Sequence, residues 1–274
     1  MSVIVTEITS NTFSEIPVTV SKDTLLPYPE LWLEVWLTGT PYEQKQFAEM
    51  FVRARCYRAK SPETADVVIF AGGPDIDPML YGVPDEMCHT SVELNHYRDI
   101  EDLELYRLCY DKGIPMFGVC RGAQLLGAMN GADLYQDVDG HQGAHPMYDR
   151  IGKKVIQSVS SVHHQMVIDT KNIGMEVLGT SRKSTKRHLN RTDYEEGVAT
   201  DVEAFFFRDS CSIGVQGHPE YRNYTEYTIW CLNLLDKFIN ENPDITLEGV
   251  KHKNRRIKPE LLSQRISLKI KELN

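Results

Sequence analysis

Two kinds of apolar pattern alternate through the middle of this chain. Residues 65–70 hold a short run, unbroken and apolar from Val67 to Phe70, just before Gly72-Gly73-Pro74, and residues 114–119 form another. Unbroken runs of this length suit parallel strands covered on both faces. Between them, residues 94–111 place Tyr97, Ile100, Leu103 and Leu108 near one helical face, and Gly113 follows as a stop signal. Residues 122–130 read as a second helix, ended by Gly131. Strand, helix, strand, helix in this order predicts an α/β fold with a parallel sheet and right-handed crossovers.

The flanks are less regular. Residues 3–8 and the mixed aromatic and aliphatic run 31–37 read as strands. Residues 43–54 carry helical spacing, with Phe47, Met50 and Phe51 on one side. After Gly131 the pattern turns strand-rich, with candidates at 155–159, 166–168, 175–178, 204–207 and 212–216. Residues 224–240 then predict a closing amphipathic helix through Tyr227, Trp230, Leu234 and Phe238. Residues 1–250 are expected to form one domain, its first forty residues atypical. From Lys251 on, eight Lys or Arg stand against two acidic residues, giving a basic tail over 251–274.

Composition narrows the function classes. A formal charge of −9 favours solubility and argues against a nucleic-acid coat. No apolar run is long enough for a membrane span, and no secretory leader is apparent. The six cysteines are scattered without a C-x-x-C pair, which fits reduced thiols in a cytosol-like compartment.

One cysteine stands out. Gly118-Val119-Cys120-Arg121-Gly122 lies between a predicted strand and a predicted helix. A sharp turn there lifts the thiol clear of the sheet and sets it at a helix N-terminus, where the thiolate is favoured. Taken alone, the segment also reads as a structural cysteine on a glycine-rich turn. Downstream, Gly214-Val215-Gln216-Gly217-His218-Pro219-Glu220 follows another predicted strand. His218 suits a general base and acid, and Glu220 suits the partner that fixes its tautomer. The Gly72-Gly73-Pro74-Asp75 turn can present inward-facing amides to an oxyanion, or serve simply as a tight turn. His141 and His145 are four residues apart, as in some zinc sites. No third ligand is evident, and neither a metal nor a cofactor is expected.

With these segments in order, the chain resembles the class I glutamine amidotransferase superfamily. Within it, the resemblance is closest to γ-glutamyl hydrolases acting on γ-glutamyl-γ-aminobutyrate. The shared text is AGGPDIDPMLYG from Ala71, Arg98-Asp99, GVCRGAQLLGAMNGADLYQDV from Gly118, SVHHQMV from Ser161, and GVQGHPE from Gly214. The resemblance implies a flavodoxin-like three-layer sandwich with a mostly parallel central sheet and a strand-rich second half. It implies Cys120 as nucleophile, His218 as base and Glu220 as orienting partner, with the amides of Gly73 and Arg121 as the oxyanion hole. Gln124 would lie by the glutamyl α-carboxylate and amine, and His163, His164 and Gln165 would line the acceptor side.

The chain departs from the family at Gly217, where a bulky aromatic is common and whose absence would widen the pocket or loosen the histidine. It departs also in the N-terminal forty residues, in a basic loop at 182–191, and in the basic tail. The expected activity is hydrolysis of a small γ-glutamyl amide through a thioester, releasing glutamate and an amine or ammonia. The alternative is a glutaminase subunit feeding ammonia to a separate synthetase or amide ligase, since the chain holds no G-x-x-x-x-G-K-[ST] phosphate loop. A scaffold on an inactivated fold is disfavoured by the intact Cys120, His218 and Glu220. A homodimer is compatible with the acidic chain; a membrane or nucleic-acid partner is not expected. The tail reads as a solvated helix or as a dock for an acidic partner. Deleting residues 251–274 is expected to leave activity and partner binding unchanged for a solvated tail, and pull-down of an acidic partner lost on deletion would show the dock.

Overall fold

The chain folds, in a computed structural model describing residues 3–4, 19–20, 28–221 and 225–240, around a nine-stranded mixed sheet. In chain order its strands are β1 (Glu34–Leu37), β2 (Tyr57–Arg58), β3 (Val67–Phe70), β4 (Met116–Val119), β5 (His145–Asp149), β6 (Lys154–Val159), β7 (Met175–Ser181), β8 (Asp201–Phe207) and β9 (Ser212–Val215). Their spatial order is β6-β5-β7-β8-β9-β4-β3-β1-β2. Pairings from β9 to β2 are parallel, and those from β6 to β9 are antiparallel. The sheet therefore has the expected parallel half, and an antiparallel half built from the strand-rich second part of the chain.

Helices α1 (Pro41–Arg53), α2 (His96–Lys112), α3 (Arg121–Met129) and α4 (Glu226–Leu235) cover the two faces. The alternation of strand side chains sets the layers. Val67, Ile69, Phe117 and Val119 pack with Phe47 and Phe51 of α1 and with Tyr227 and Trp230 of α4. Val68, Phe70 and Met116 point the other way, onto Leu103 and Tyr106 of α2 and Leu125 and Leu126 of α3. The result is a three-layer sandwich.

Local signals set the helix ends. Thr40 and Glu43 form a reciprocal capping box before α1, with Pro41 opening the helix. The Asn95 side chain accepts from the Arg98 amide, and Gly113 closes α2 in the left-handed region. Helix α3 is different. It has no side-chain cap and no acidic residue in its first turn, so its leading amides remain available for an anionic group.

Most predicted elements appear within a few residues of their expected bounds. Strand β5 was not predicted. The stretch expected as a basic loop at 182–191 contains a strand, Lys186–His188, paired with Tyr194–Glu196 and with Asp137–Val138. Arg187 within it is buried and donates to the Gly197 carbonyl at 2.9 Å and toward Glu195 at 3.4 Å; its charge is used internally. Lys183 and Lys186 remain exposed. Of the expected strand at 3–8, Val3–Ile4 pairs with Thr19–Val20; residues 5–8 and the basic tail lie outside the described residues.

Close packing of the sheet makes a direct prediction. A Cβ on Gly214 would collide with the ring of Phe205, itself fully buried. Gly214→Ala is expected to destabilise the fold by about 1–3 kcal/mol through overpacking, measured as a lower urea midpoint.

Candidate active site

The parallel register of β9 against β4 pairs Gly214 with Gly118 and Val215 with Val119. The residues that follow both strands therefore emerge side by side at the carboxyl end of the sheet, the ordinary place for a site in such folds. Cys120 follows β4, and its amide donates to the Val215 carbonyl at 2.9 Å. Its backbone has φ 52° and ψ −110°, a conformation costly for a side chain bearing a Cβ. Glycines make it feasible. A Cβ on Gly118 would strike the Gly122 backbone, and one on Gly122 would strike the Phe70 carbonyl. Strand, turn and helix are thus pressed together too tightly for any other residue.

His218 sits opposite. Its amide donates to Ser160 O at 2.7 Å, and Nδ1 lies 2.7 Å from Glu220 Oε1. That carboxylate accepts the Nδ1 proton and orients the ring, turning Nε2 away from Glu220. Nε2 is buried without a hydrogen bond of ordinary geometry, yet Cys120 is near enough to act on it electrostatically. Catalytic pairs often stand slightly apart before substrate binds. Burial lowers the imidazole pKa, but Glu220 first and then Cys120 more than offset it, and the value rises to about 10. The ring of Tyr221 stacks on His218 with centroids 4.1 Å apart and planes at 5°.

Gly72 lies between the two reacting side chains. A Cβ there would approach His218 Cε1 to 2.9 Å and Cys120 Cβ to 3.8 Å. Gly73 has φ 142°, which favours glycine, and faces the Arg121 side chain. Arg121 opens α3, so its amide has no acceptor within the helix. The two amides expected to form the oxyanion hole are therefore on adjoining segments.

Beneath them runs a buried ionic network. Arg121 pairs with Asp99 at 2.6 Å and with Asp102. Arg98 bonds Asp102 at 2.8 Å and Thr38 Oγ1 at 3.1 Å, and reaches Glu43 at 3.6 Å. Burial pushes Asp99 up to about 6 against the opposing pull of Arg121. Asp102 and Tyr221 were not singled out by sequence. The helical i,i+4 spacing of Arg98 and Asp102 was the available signal for the first.

The expected substrate contacts divide. Gln124 is buried, and its Nε2 donates to the Gln165 carbonyl at 3.0 Å. His163 and Gln165 are also buried, whereas His164 is partly exposed. His164 bridges Asp75 and Asp137, each at 3.1 Å. The bond to Asp75 is the leading cause of its raised pKa. His163 is held well below its usual pKa by burial and by neighbouring His141.

The expectation that Gly217 widens the pocket or loosens the histidine is corrected. A Cβ there would meet Val159, Ser160 O and the Tyr227 hydroxyl, so the space is filled and His218 is backed. All six cysteines are free. Among the described residues no helix is long and apolar enough to cross a membrane.

Sheet, cysteine elbow and the His–Glu pair together define a protein of the class I glutamine amidotransferase superfamily, whose members hydrolyse amide bonds. Residues 57–220 match the peptidase C26 family, and the chain belongs to it. Over 175 residues it is 30% identical to a provisionally named glutamine amidotransferase of Schizosaccharomyces pombe, covering 60% of this chain and 65% of that one. It is 29% identical over 196 residues to protein NtpR of Enterococcus hirae, covering 66% and 80%. A third match, 38% over 112 residues, is to the carbamoyl phosphate synthase small chain of Thioalkalivibrio sulfidiphilus, covering 40% and 25%. The chain thus spans just under two thirds of the first relative and a quarter of the third. A provisionally assigned GMP synthase subunit from Thermoplasma acidophilum superposes with a TM-score of 0.52 over 78% of this chain and 97% of that one, at 13% identity. That likeness concerns the fold.

The electrostatics of the pair can be tested directly. Because the folded pKa of His218 lies above its ordinary value of 6.5, its stabilisation is complete below about pH 6.5 and is lost as pH rises through about 10. Glu220→Gln removes the leading raising charge. NMR titration of the labelled imidazole is expected to show a clear downward shift in the variant, together with a flatter loss of unfolding free energy between neutral and alkaline pH.

Proposed function

We propose that the chain hydrolyses a γ-glutamyl amide with Cys120, His218 and Glu220. The observation that carries this reading is the strained elbow cysteine beside an imidazole whose far nitrogen is bound to a carboxylate. In the reaction, His218 Nε2 takes the thiol proton and sulfur attacks the amide carbon. The amides of Gly73 and Arg121 hold the resulting oxyanion. Collapse breaks the C–N bond as His218 returns the proton to the leaving nitrogen. A thioester on Cys120 remains. Water, deprotonated by the same imidazole, then breaks the C–S bond and releases glutamate. Glu220 holds the imidazole orientation throughout. Tyr221 backs the ring from one side. Arg121, tied to Asp99 and Asp102, holds the start of α3 in place. His164 offers the partly exposed charged group suited to a substrate carboxylate, while His163 and Gln165 shape the wall behind it.

A second reading, ammonia supply to a separate synthetase, is favoured by the match to the carbamoyl phosphate synthase small chain. Turnover of glutamine and of γ-glutamyl amines, each with and without a synthetase, separates the two. Activity on γ-glutamyl amines by the chain alone is expected, whereas glutaminase activity appearing only with the synthetase would establish the second reading. Cys120→Ala is expected to lower kcat by about four to six orders of magnitude. Mass spectrometry of the quenched wild-type reaction is expected to find a glutamyl adduct on Cys120.

A further inference from the structure

Four side chains converge in the antiparallel half of the sheet. His141 and His145 come from the approach to β5 and its first residue, His163 from the segment before Gln165, and Glu203 from β8. All four are buried, and one ligand-type atom from each lies within 4.8 Å of the others. Three of these atoms make a nearly regular triangle. His141 Nδ1 is 3.2 Å from His145 Nε2 and 3.4 Å from Glu203 Oε1, and His145 Nε2 is 3.5 Å from the same oxygen. Tetrahedral zinc with bonds of about 2.0–2.1 Å separates its ligand atoms by about 3.3–3.4 Å.

The outer nitrogens settle what faces inward. His141 Nε2 lies 3.3 Å from Asp201 Oδ2, His145 Nδ1 lies 3.2 Å from Pro146 O, and His163 Nδ1 lies 2.9 Å from Gln165 O. Each acceptor takes an N–H, so the opposite nitrogen of each ring carries a lone pair. Gln216 Nε2, 3.3 Å from His163 Nδ1, itself donates to Gln165 O. Outer acceptors of this kind orient metal-binding imidazoles. Ser181 donates to Glu203 Oε1 at 2.8 Å. The remaining polar atoms, His163 Nε2 and Glu203 Oε2, are buried without partners. A single shared proton would satisfy one pair among His141, His145 and Glu203 and still leave those two atoms unpaired. A cation takes the inward lone pairs of all three imidazoles, His163 Nε2 among them, together with one oxygen of Glu203.

We propose that His141, His145, His163 and Glu203 form a closed site for one divalent transition metal, with Zn²⁺ the ion whose bond lengths fit. Four protein ligands leave no position for a reacting water, so the ion is structural. It would tie the loop at 141–145 and the segment at 161–165 to β8, one strand away from the strand that leads to His218.

Metal-free protein in a Cys120→Ala background, which removes the elbow thiol as a competing ligand, is titrated with Zn²⁺ and separately with Co²⁺. One equivalent per chain, an intense visible Co²⁺ spectrum of the tetrahedral type, and a higher Tm with Zn²⁺ are expected. Glu203→Gln and His163→Asn are each expected to weaken binding by about 100-fold or more. His188→Asn, in the half-exposed trio His89, Asp137 and His188, is expected to leave it unchanged. Absence of stoichiometric binding by the parent protein, a weak octahedral Co²⁺ spectrum, equal affinity in the Glu203 and His163 variants, or loss only in the His188 variant would each overturn the proposal. Metal counting and the Co²⁺ spectrum on the parent protein do not depend on whether a ligand variant folds, or on what the enzyme hydrolyses.

Discussion

The backbone of Cys120 is held in a conformation that an L-residue adopts only under compulsion, and the surrounding architecture supplies the compulsion. Gly118 and Gly122 allow β4, the turn and α3 to approach within backbone contact, and Phe70 on the neighbouring strand closes the space behind them. A strained φ of this kind costs of order 1–3 kcal/mol and persists only where its neighbours over-determine it. Here the neighbours are a fully buried parallel strand and a fully buried helix, each packed on both sides. The strain turns the chain sharply out of the sheet and sets Cys120 at an uncapped helix start.

That arrangement needs a fixed helix start, and the ionic network provides it. Arg121 is fully buried next to Cys120 and tied to two carboxylates of α2. Through Arg98 the same network reaches Thr38 and Glu43, which caps α1. Replacing a buried pair by apolar groups is often neutral for stability, whereas losing one partner costs about 3–5 kcal/mol. The network is therefore better understood as a device for position than as a source of stability. It links α1, α2 and α3 to the two segments around Gly73 and Arg121.

Much of the site was legible in sequence because its chemistry is written in short local words. Cys120, His218 and Glu220 lie within a few residues of strand ends, and strand ends in the parallel half were marked by apolar runs. What sequence missed arises from pairing at long range. Strand β5 alternates buried His145, Met147 and Asp149 with exposed positions, so its inward face is half polar and shows no hydrophobic period. Asp201 and Glu203 stand at alternate positions of a wholly buried strand, a pattern that marks polar groups needing partners but names none of them. The partners come from segments brought near only by the order β5-β7-β8. The resemblance implies His163, His164 and Gln165 together as lining of the acceptor side. The two-residue alternation of this segment buries His163 and Gln165 and leaves His164 partly exposed.

The two halves of the sheet thus do different work. The parallel half creates the elbow and the helix start, as expected of strands whose carboxyl ends meet one side of a fold. The strand where the two halves meet, β9, carries His218. His218 hangs from the end of β9, and β9 is paired on its other side with β8, which bears Glu203 and Asp201. Ser160, which receives the His218 amide, lies one residue before Ser161, whose hydroxyl donates to the His141 carbonyl at 2.8 Å. Gln216, two residues before His218, reaches the Gln165 carbonyl that also orients His163. The buried polar cluster and the His218 imidazole therefore share scaffolding residues. The distance between Cys120 and His218 is set from both sides, by glycine contacts under Cys120 and by polar contacts behind His218.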